Sequence, residues 1–112
     1  MTKAHELPKL SLLNKLFEYN PETGDLVRKV TTSSRARKGM VVSQYNTGDY
    51  RRVRINNVMY QAHRLIWYMV TKDQPDLDRV VDHRNGKRYD NRWSNLRLTT
   101  KQVNSLNIYH GN

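Results

Sequence analysis

Val80-Val81-Asp82-His83-Arg84-Asn85-Gly86 opens the stretch that decides the fold, which runs on through Asp90-Asn91-Arg92-Trp93-Ser94-Asn95-Leu96-Arg97-Leu98 to Lys101-Gln102-Val103-Asn104. Two short strand-like runs, at 80–82 and 96–98, flank a segment dense in Asn, Asp and Gly. Asn and Asp bond their own backbone and Gly takes positive φ, so that segment reads as a long loop between two strands. Thr99 or Thr100 can cap a helix running to about Asn107. The stretch therefore predicts strand, loop, strand, helix.

Side chains alternate along a strand, so Asp82 and His83 face opposite sides. A helix packed on the strand pair would bring Asn104 near Asp82, although 22 residues separate them. Both present oxygen atoms, which suits a hard divalent cation whose other positions go to water and phosphate. Mg²⁺ is the first choice and Mn²⁺ the second. His83 titrates near neutrality and suits a general base acting on water. Asn95, twelve residues further on, is placed to bond the second ring nitrogen and fix the tautomer. A lone histidine is more often structural. Its place beside Asp82, with Asn95 and Asn104 at these spacings, favours the catalytic reading. Asn85 and Asn91 are expected to satisfy loop backbone groups.

Upstream, Ser11 to Tyr19 reads as a short helix with Ser11 as N-cap and Leu12, Leu13, Leu16 and Phe17 on one face. Asn20-Pro21-Glu22-Thr23-Gly24 is a turn, and 25–30 a strand. Thr31 to Gly39 is basic and aperiodic, a candidate for disorder without ligand. Within Tyr50 to His63, Tyr50 to Ile55 and Val58 to Ala62 alternate around Asn56-Asn57, a two-residue turn tolerant of positive φ. In that register Ile55 faces Val58 and Val53 faces Tyr60, while Arg52 and Arg54 share the opposite face with Gln61 and Met59. His63 to Thr71 reads as a helix, with His63 as a structural histidine at its start. Trp67 and Trp93 are expected to be core or loop anchors.

Composition narrows the function. The chain has 112 residues and a formal charge of +10. Residues 28–64 carry nine Lys and Arg against one acid, so the middle third is the electrostatic footprint of a polyanion partner. Within it, Arg35, Arg37, Lys38, Arg51, Arg52 and Arg54 are candidates to meet phosphates, joined by Arg84, Lys87 and Arg88 in the later loop. The competing reading of Arg52 and Arg54 is a charged edge strand that blocks aggregation. No cysteine is present, which excludes disulfides and a cysteine-held structural zinc. No signal peptide or membrane span is evident, so an intracellular setting is expected.

On these residues the segment resembles the HNH, or ββα-metal, endonucleases in the variant whose third position is Asn, and especially the phage-type HNH homing endonucleases. Residues 16–24 (Leu16-Phe17-Glu18-Tyr19-Asn20-Pro21-Glu22-Thr23-Gly24), Gly48-Asp49-Tyr50 and His63-Arg64-Leu65-Ile66-Trp67 extend the likeness upstream, to roughly residues 12–107. The resemblance implies that His83 is the general base, that Asn95 holds the loop and orients His83, and that Asp82 and Asn104 bind the metal. It implies cleavage of double-stranded DNA to 5′-phosphate and 3′-hydroxyl ends. One departure is visible: Thr71-Lys72-Asp73-Gln74-Pro75 lacks the glycine expected near the proline.

The expected fold is α+β: an N-terminal helix and small antiparallel sheet, then a ββα-metal unit. Residues 1–71 would position DNA and residues 72–112 would cut it, within one compact domain. The expected protein is a monomer or homodimer with no membrane partner. The alternative is a non-catalytic DNA-binding module on the same fold. An RNA-binding protein of similar charge lacks support, because no RNP-like aromatic pattern is present.

Overall fold

The computed structural model describes residues 7–42, 50–75 and 79–100. In chain order the elements are α1 (Leu10–Leu16), β1 (Phe17–Tyr19), β2 (Leu26–Arg28), β3 (Arg52–Ile55), β4 (Val58–Gln61), α2 (Ala62–Thr71), β5 (Arg79–His83) and β6 (Leu96–Thr100), with a 3₁₀ turn at Trp93–Asn95 before β6. The strands pair antiparallel as β1–β2, β3–β4 and β5–β6. The fold class is α+β.

The first element is shorter than its apolar pattern suggests. The helix closes at Leu16, and Phe17–Tyr19 is extended. Lys9, not Ser11, is the N-cap, and no side chain bonds the helix start. Phe17 keeps its apolar contacts from a strand instead, at 2% exposure beside fully buried Leu13. Helical period and strand alternation place a residue pair such as 13 and 17 on one face equally well, so the pattern alone does not distinguish them. The turn after β1 is closed by Asn20 N–H to the Asp25 carbonyl at 2.9 Å and by Gly24 N–H to the Asn20 carbonyl at 2.8 Å.

The basic segment 31–39 has a defined path, contrary to the expectation of disorder. Thr32 N–H donates to the Ala36 carbonyl at 2.8 Å, and Lys38 N–H donates to Thr31 Oγ1 at 2.9 Å. Gly39 N–H returns to the Arg28 carbonyl at 2.8 Å.

The β3–β4 hairpin has the expected register, with Ile55 opposite Val58, Val53 opposite Tyr60 and Arg54 opposite Met59. Asn56 and Asn57 both take positive φ, at 50° and 66°. That is the pairing whose twist matches the flanking strands. Val53 and Ile55 are buried, whereas Arg52 and Arg54 are exposed.

Helix α2 follows β4 directly. Ala62, Leu65 and Ile66 are fully buried and Met69 packs against the same core, a stripe at helical spacing. Lys72 ends the helix in the left-handed region at φ 63°, its N–H bonded to the Tyr68 carbonyl at 2.7 Å. Here stands a lysine where glycine is usual. The side chain costs about 1–2 kcal/mol in that conformation. Thr71 Oγ1 offsets part of it by bonding both the Trp67 carbonyl and the Asp73 N–H.

One core joins these pieces. It takes Leu13, Phe17 and Leu26 from the N-terminal part, Val53 and Ile55 from β3, Leu65 and Ile66 from α2, and Val81 and Leu96 from β5 and β6. Trp67 on α2 and Trp93 before β6 lie face to tilted face, their ring centroids 5.0 Å apart. Both act as anchors against the core, as their size suggests.

Candidate active site

Strand β5 pairs with β6 so that Asp82 stands opposite Arg97 and His83 opposite Leu96. Alternation turns Val81 and His83 inward, at 2% and 4% exposure. Asp82 points the other way, and its Oδ2 accepts two bonds from Arg97, 3.1 Å from Nε and 2.9 Å from an Nη. Carboxylate and imidazole thus sit back to back on neighbouring positions of one strand. Thr99 and Thr100 are the last two residues of strand β6. Asn104 lies outside the described residues, as does the helix expected around it.

The loop from Arg84 to Arg92 is held by Asn95. Its Oδ1 accepts from Asn85 N–H at 3.0 Å, and its Nδ2 donates to Asn85 Oδ1 at 2.9 Å and to the Asp90 carbonyl at 2.8 Å. Arg84 N–H donates to the Asn95 carbonyl at 2.7 Å. Asn95 is 5% exposed, so these bonds are shielded from water. The same loop carries a tight ion pair. Arg92 forks onto both oxygens of Asp90, at 2.8 Å and 2.7 Å, and holds that carboxyl down at a pKa of about 2.

Asn95 does not bond His83. The partner of the imidazole is Asn91, whose Oδ1 lies 2.7 Å from His83 Nε2. Every bond that Asn95 makes is spent on the loop, four residues beyond the amide that reaches the ring. Asn91 was expected to serve the loop backbone. It is instead 1% exposed and aimed at the imidazole. Its signal in the sequence was slight: an Asn inside a loop already crowded with Asn and Asp.

A second histidine joins the first. The ring of His63, at the start of α2, meets that of His83 edge-on with centroids 4.9 Å apart. Tyr50 stacks on His63 at 5.1 Å, and the Arg88 guanidinium lies 5.1 Å over Tyr50. His63 is 3% exposed, and its Nδ1 has no hydrogen-bond partner among the described residues. Burial first, then the neighbouring His83, pushes its pKa well below the usual histidine range. Burial also lowers the pKa of His83, against the Asn91 bond and the Asp82 charge, which pull upward. Both rings are therefore neutral at pH 7, the state a general base needs.

Of the basic residues proposed to meet DNA, Arg35, Arg37, Lys38, Arg52, Arg54, Arg84, Lys87 and Arg88 are exposed. Arg51 is half-buried, its guanidinium 5.6 Å over the Tyr89 ring. Arg51 and Arg88 thus lie on aromatic faces where residues 50–51 cross residues 88–89.

Residues 60–106 match the family model described as HNH endonuclease. This segment is similar to the HNH endonuclease family. The matched segment begins within β4 and so takes in α2 and His63 as well as β5, the loop and β6. A solved structure entitled "DNA binding and cleavage by the HNH homing endonuclease I-HmuI" is similar in fold, with a TM-score of 0.61 and 21% identity over 94% of this chain. The chain spans 58% of the length of that protein. No curated protein sequence matches.

Could the matched segment hold a cation? Among the described residues no group of three or more His, Cys, Asp or Glu is placed to do so. Asp82 is the one carboxylate beside His83 on β5. Arg97 engages only its Oδ2, and a carboxylate has acceptor sites on both oxygens. The donor types fit a hard ion that keeps most of its water. Among the described residues no helix is long and apolar enough to cross a membrane.

Proposed function

We propose that this protein is a metal-dependent DNA endonuclease that hydrolyses phosphodiester bonds. The observation that carries the reading is the back-to-back pair on β5: a buried imidazole at His83 and an outward carboxylate at Asp82, inside a segment that matches the HNH endonuclease model. His83 takes a proton from a water that attacks phosphorus. Asn95 keeps the loop closed beneath it. Asp82, with Asn104, would hold a divalent ion, most suitably Mg²⁺ or Mn²⁺. Such an ion, when bound, supplies positive charge for the phosphoryl oxygens and the departing 3′ oxygen. The products carry 5′-phosphate and 3′-hydroxyl ends.

Residues 1–71 position double-stranded DNA and residues 72–112 cut it. The exposed arginines on β3, with Arg35, Arg37 and Lys38 nearby in sequence, neutralise phosphates and set affinity without reading bases. The competing reading is a DNA-binding module without cleavage, and a plasmid assay separates the two. Supercoiled plasmid incubated with the protein and Mg²⁺ should relax or linearise, and excess chelator should stop it. His83→Ala should cut about 10²–10⁴-fold more slowly while binding DNA as before. Unaltered plasmid under every divalent ion tried would favour the binding module. Wild-type cleavage by His83→Ala would remove His83 as the base.

A further inference from the structure

The Asn91 contact bears on which nitrogen of His83 carries the proton. Nε2 lies 2.7 Å from Asn91 Oδ1. An amide oxygen only accepts, so the neutral ring donates from Nε2 and keeps its lone pair on Nδ1. We infer that Asn91, clamped by the N-terminal hairpin, is the positioning residue of the site: it locks His83 in the Nε2–H tautomer and leaves the Nδ1 lone pair for the reacting water. The inference rests on the reading of His83 as base and adds a residue which that reading lacks.

The clamp is built from far away in the sequence. Tyr19 Oη, 72 residues distant, donates to the Asn91 carbonyl at 2.5 Å. Trp93 N–H donates to the Pro21 carbonyl at 3.0 Å, so a second bond ties the same turn to the same loop. Between them Gly24 lies flat on the Asn91 backbone. A Cβ there would stand 2.6 Å from the Asn91 carbonyl carbon and 2.7 Å from the Arg92 nitrogen, and Gly24 also needs its φ of 84°. Only glycine allows the turn to come this close. Asn91 itself is 1% exposed, so water does not compete for its amide.

Turning that amide over would reverse the chemistry. Nδ2 would then donate to Nε2, the ring proton would move to Nδ1, and the lone pair needed by the base would be used up. With the lock as inferred, one water O–H bond breaks and its proton goes to Nδ1. The resulting oxygen forms a bond to phosphorus as the bond to the 3′ oxygen breaks, and the imidazolium proton returns through solvent to that oxygen. The Nε2–H···Oδ1 bond strengthens as the ring becomes cationic.

The test reads the tautomer directly. Ring-nitrogen chemical shifts of ¹⁵N-labelled full-length protein near neutral pH, assigned by loss of the signals in His83→Ala, should show protonated Nε2 and bare Nδ1. A wild-type His83 protonated on Nδ1 overturns the lock. Asn91→Leu, which keeps bulk and loses the acceptor, should give mixed tautomers and a kcat on plasmid lower by about 10–100-fold, with KM for DNA within about twofold. Asn91→Asp keeps an acceptor and should restore the Nε2–H signature and most of kcat. Tyr19→Phe should lower kcat in the same direction by less. If Asn91→Leu fails to fold, the wild-type and Asn91→Asp spectra decide alone. Unchanged tautomer and kcat in a folded Asn91→Leu would overturn the positioning role, while His83→Ala separately judges the base.

Discussion

Asn95 and Asn91 divide work that one amide was expected to do. Chemistry asks for an amide near the imidazole, and both residues are four apart in a loop whose path no local pattern dictates. Asn95 faces inward under the loop, where it satisfies an N–H, a carbonyl and a side chain at once. Asn95→Ala removes three bonds from a shielded site, each worth about 0.5–1.5 kcal/mol. Urea unfolding should therefore show a loss of about 2–4 kcal/mol. A change under 0.5 kcal/mol would mean that the loop closes without it. His63 and His83 carry a pH signature. Both are held below the ordinary histidine pKa of about 6.5. Below that value the unfolded chain binds protons that the folded chain refuses, so stability present above pH 6.5 is lost as pH falls toward the folded-state values. Melting temperature should drop between pH 7.5 and 5.5, and His63→Leu, if folded, should flatten that drop.

Among the elements, the register of the β3–β4 hairpin was legible to the residue, though its strands are shorter than the alternating runs, and α1 was not. Asn56-Asn57 specifies a turn, the turn specifies a register, and alternation then fixes every side chain in it. Leu12 to Phe17 offers only apolar spacing, which does not say where a helix becomes a strand. β5 and β6 were legible as a pair, though each is longer than its strand-like run. The exposed face of β3 yields a direct prediction. Each arginine that neutralises a phosphate adds about −0.9 to the slope of log K against log salt. Replacing Arg52 and Arg54 with Gln should flatten that slope by up to about 2 units. Melting temperature should hardly change, because both residues are exposed. An unchanged slope with a large fall in melting temperature would mark these arginines as structural and the sheet face as one that DNA does not touch.

For the molecule as a whole, the proposed division into a DNA-positioning part and a cutting part follows no seam in the packing. The core draws on both, and the turn after β1 is bonded to the loop before β6. None of that is written locally: Tyr19 and Asn91 are 72 residues apart, and nothing in either neighbourhood names the other. Thermal unfolding should accordingly be a single transition, with calorimetric and van't Hoff enthalpies equal. Two resolved transitions would mean that the halves fold independently.

The tilted pair Trp67 and Trp93 reports on that union. One indole rides on α2 and the other on the entry to β6, 5.0 Å apart at 32° between planes. Chromophores so close and so skewed share their excited states, and the rotational strength splits into a couplet of opposite signs. The protein thereby carries its own optical gauge, needing no label, that vanishes when the loop leaves the helix and persists while the two remain docked.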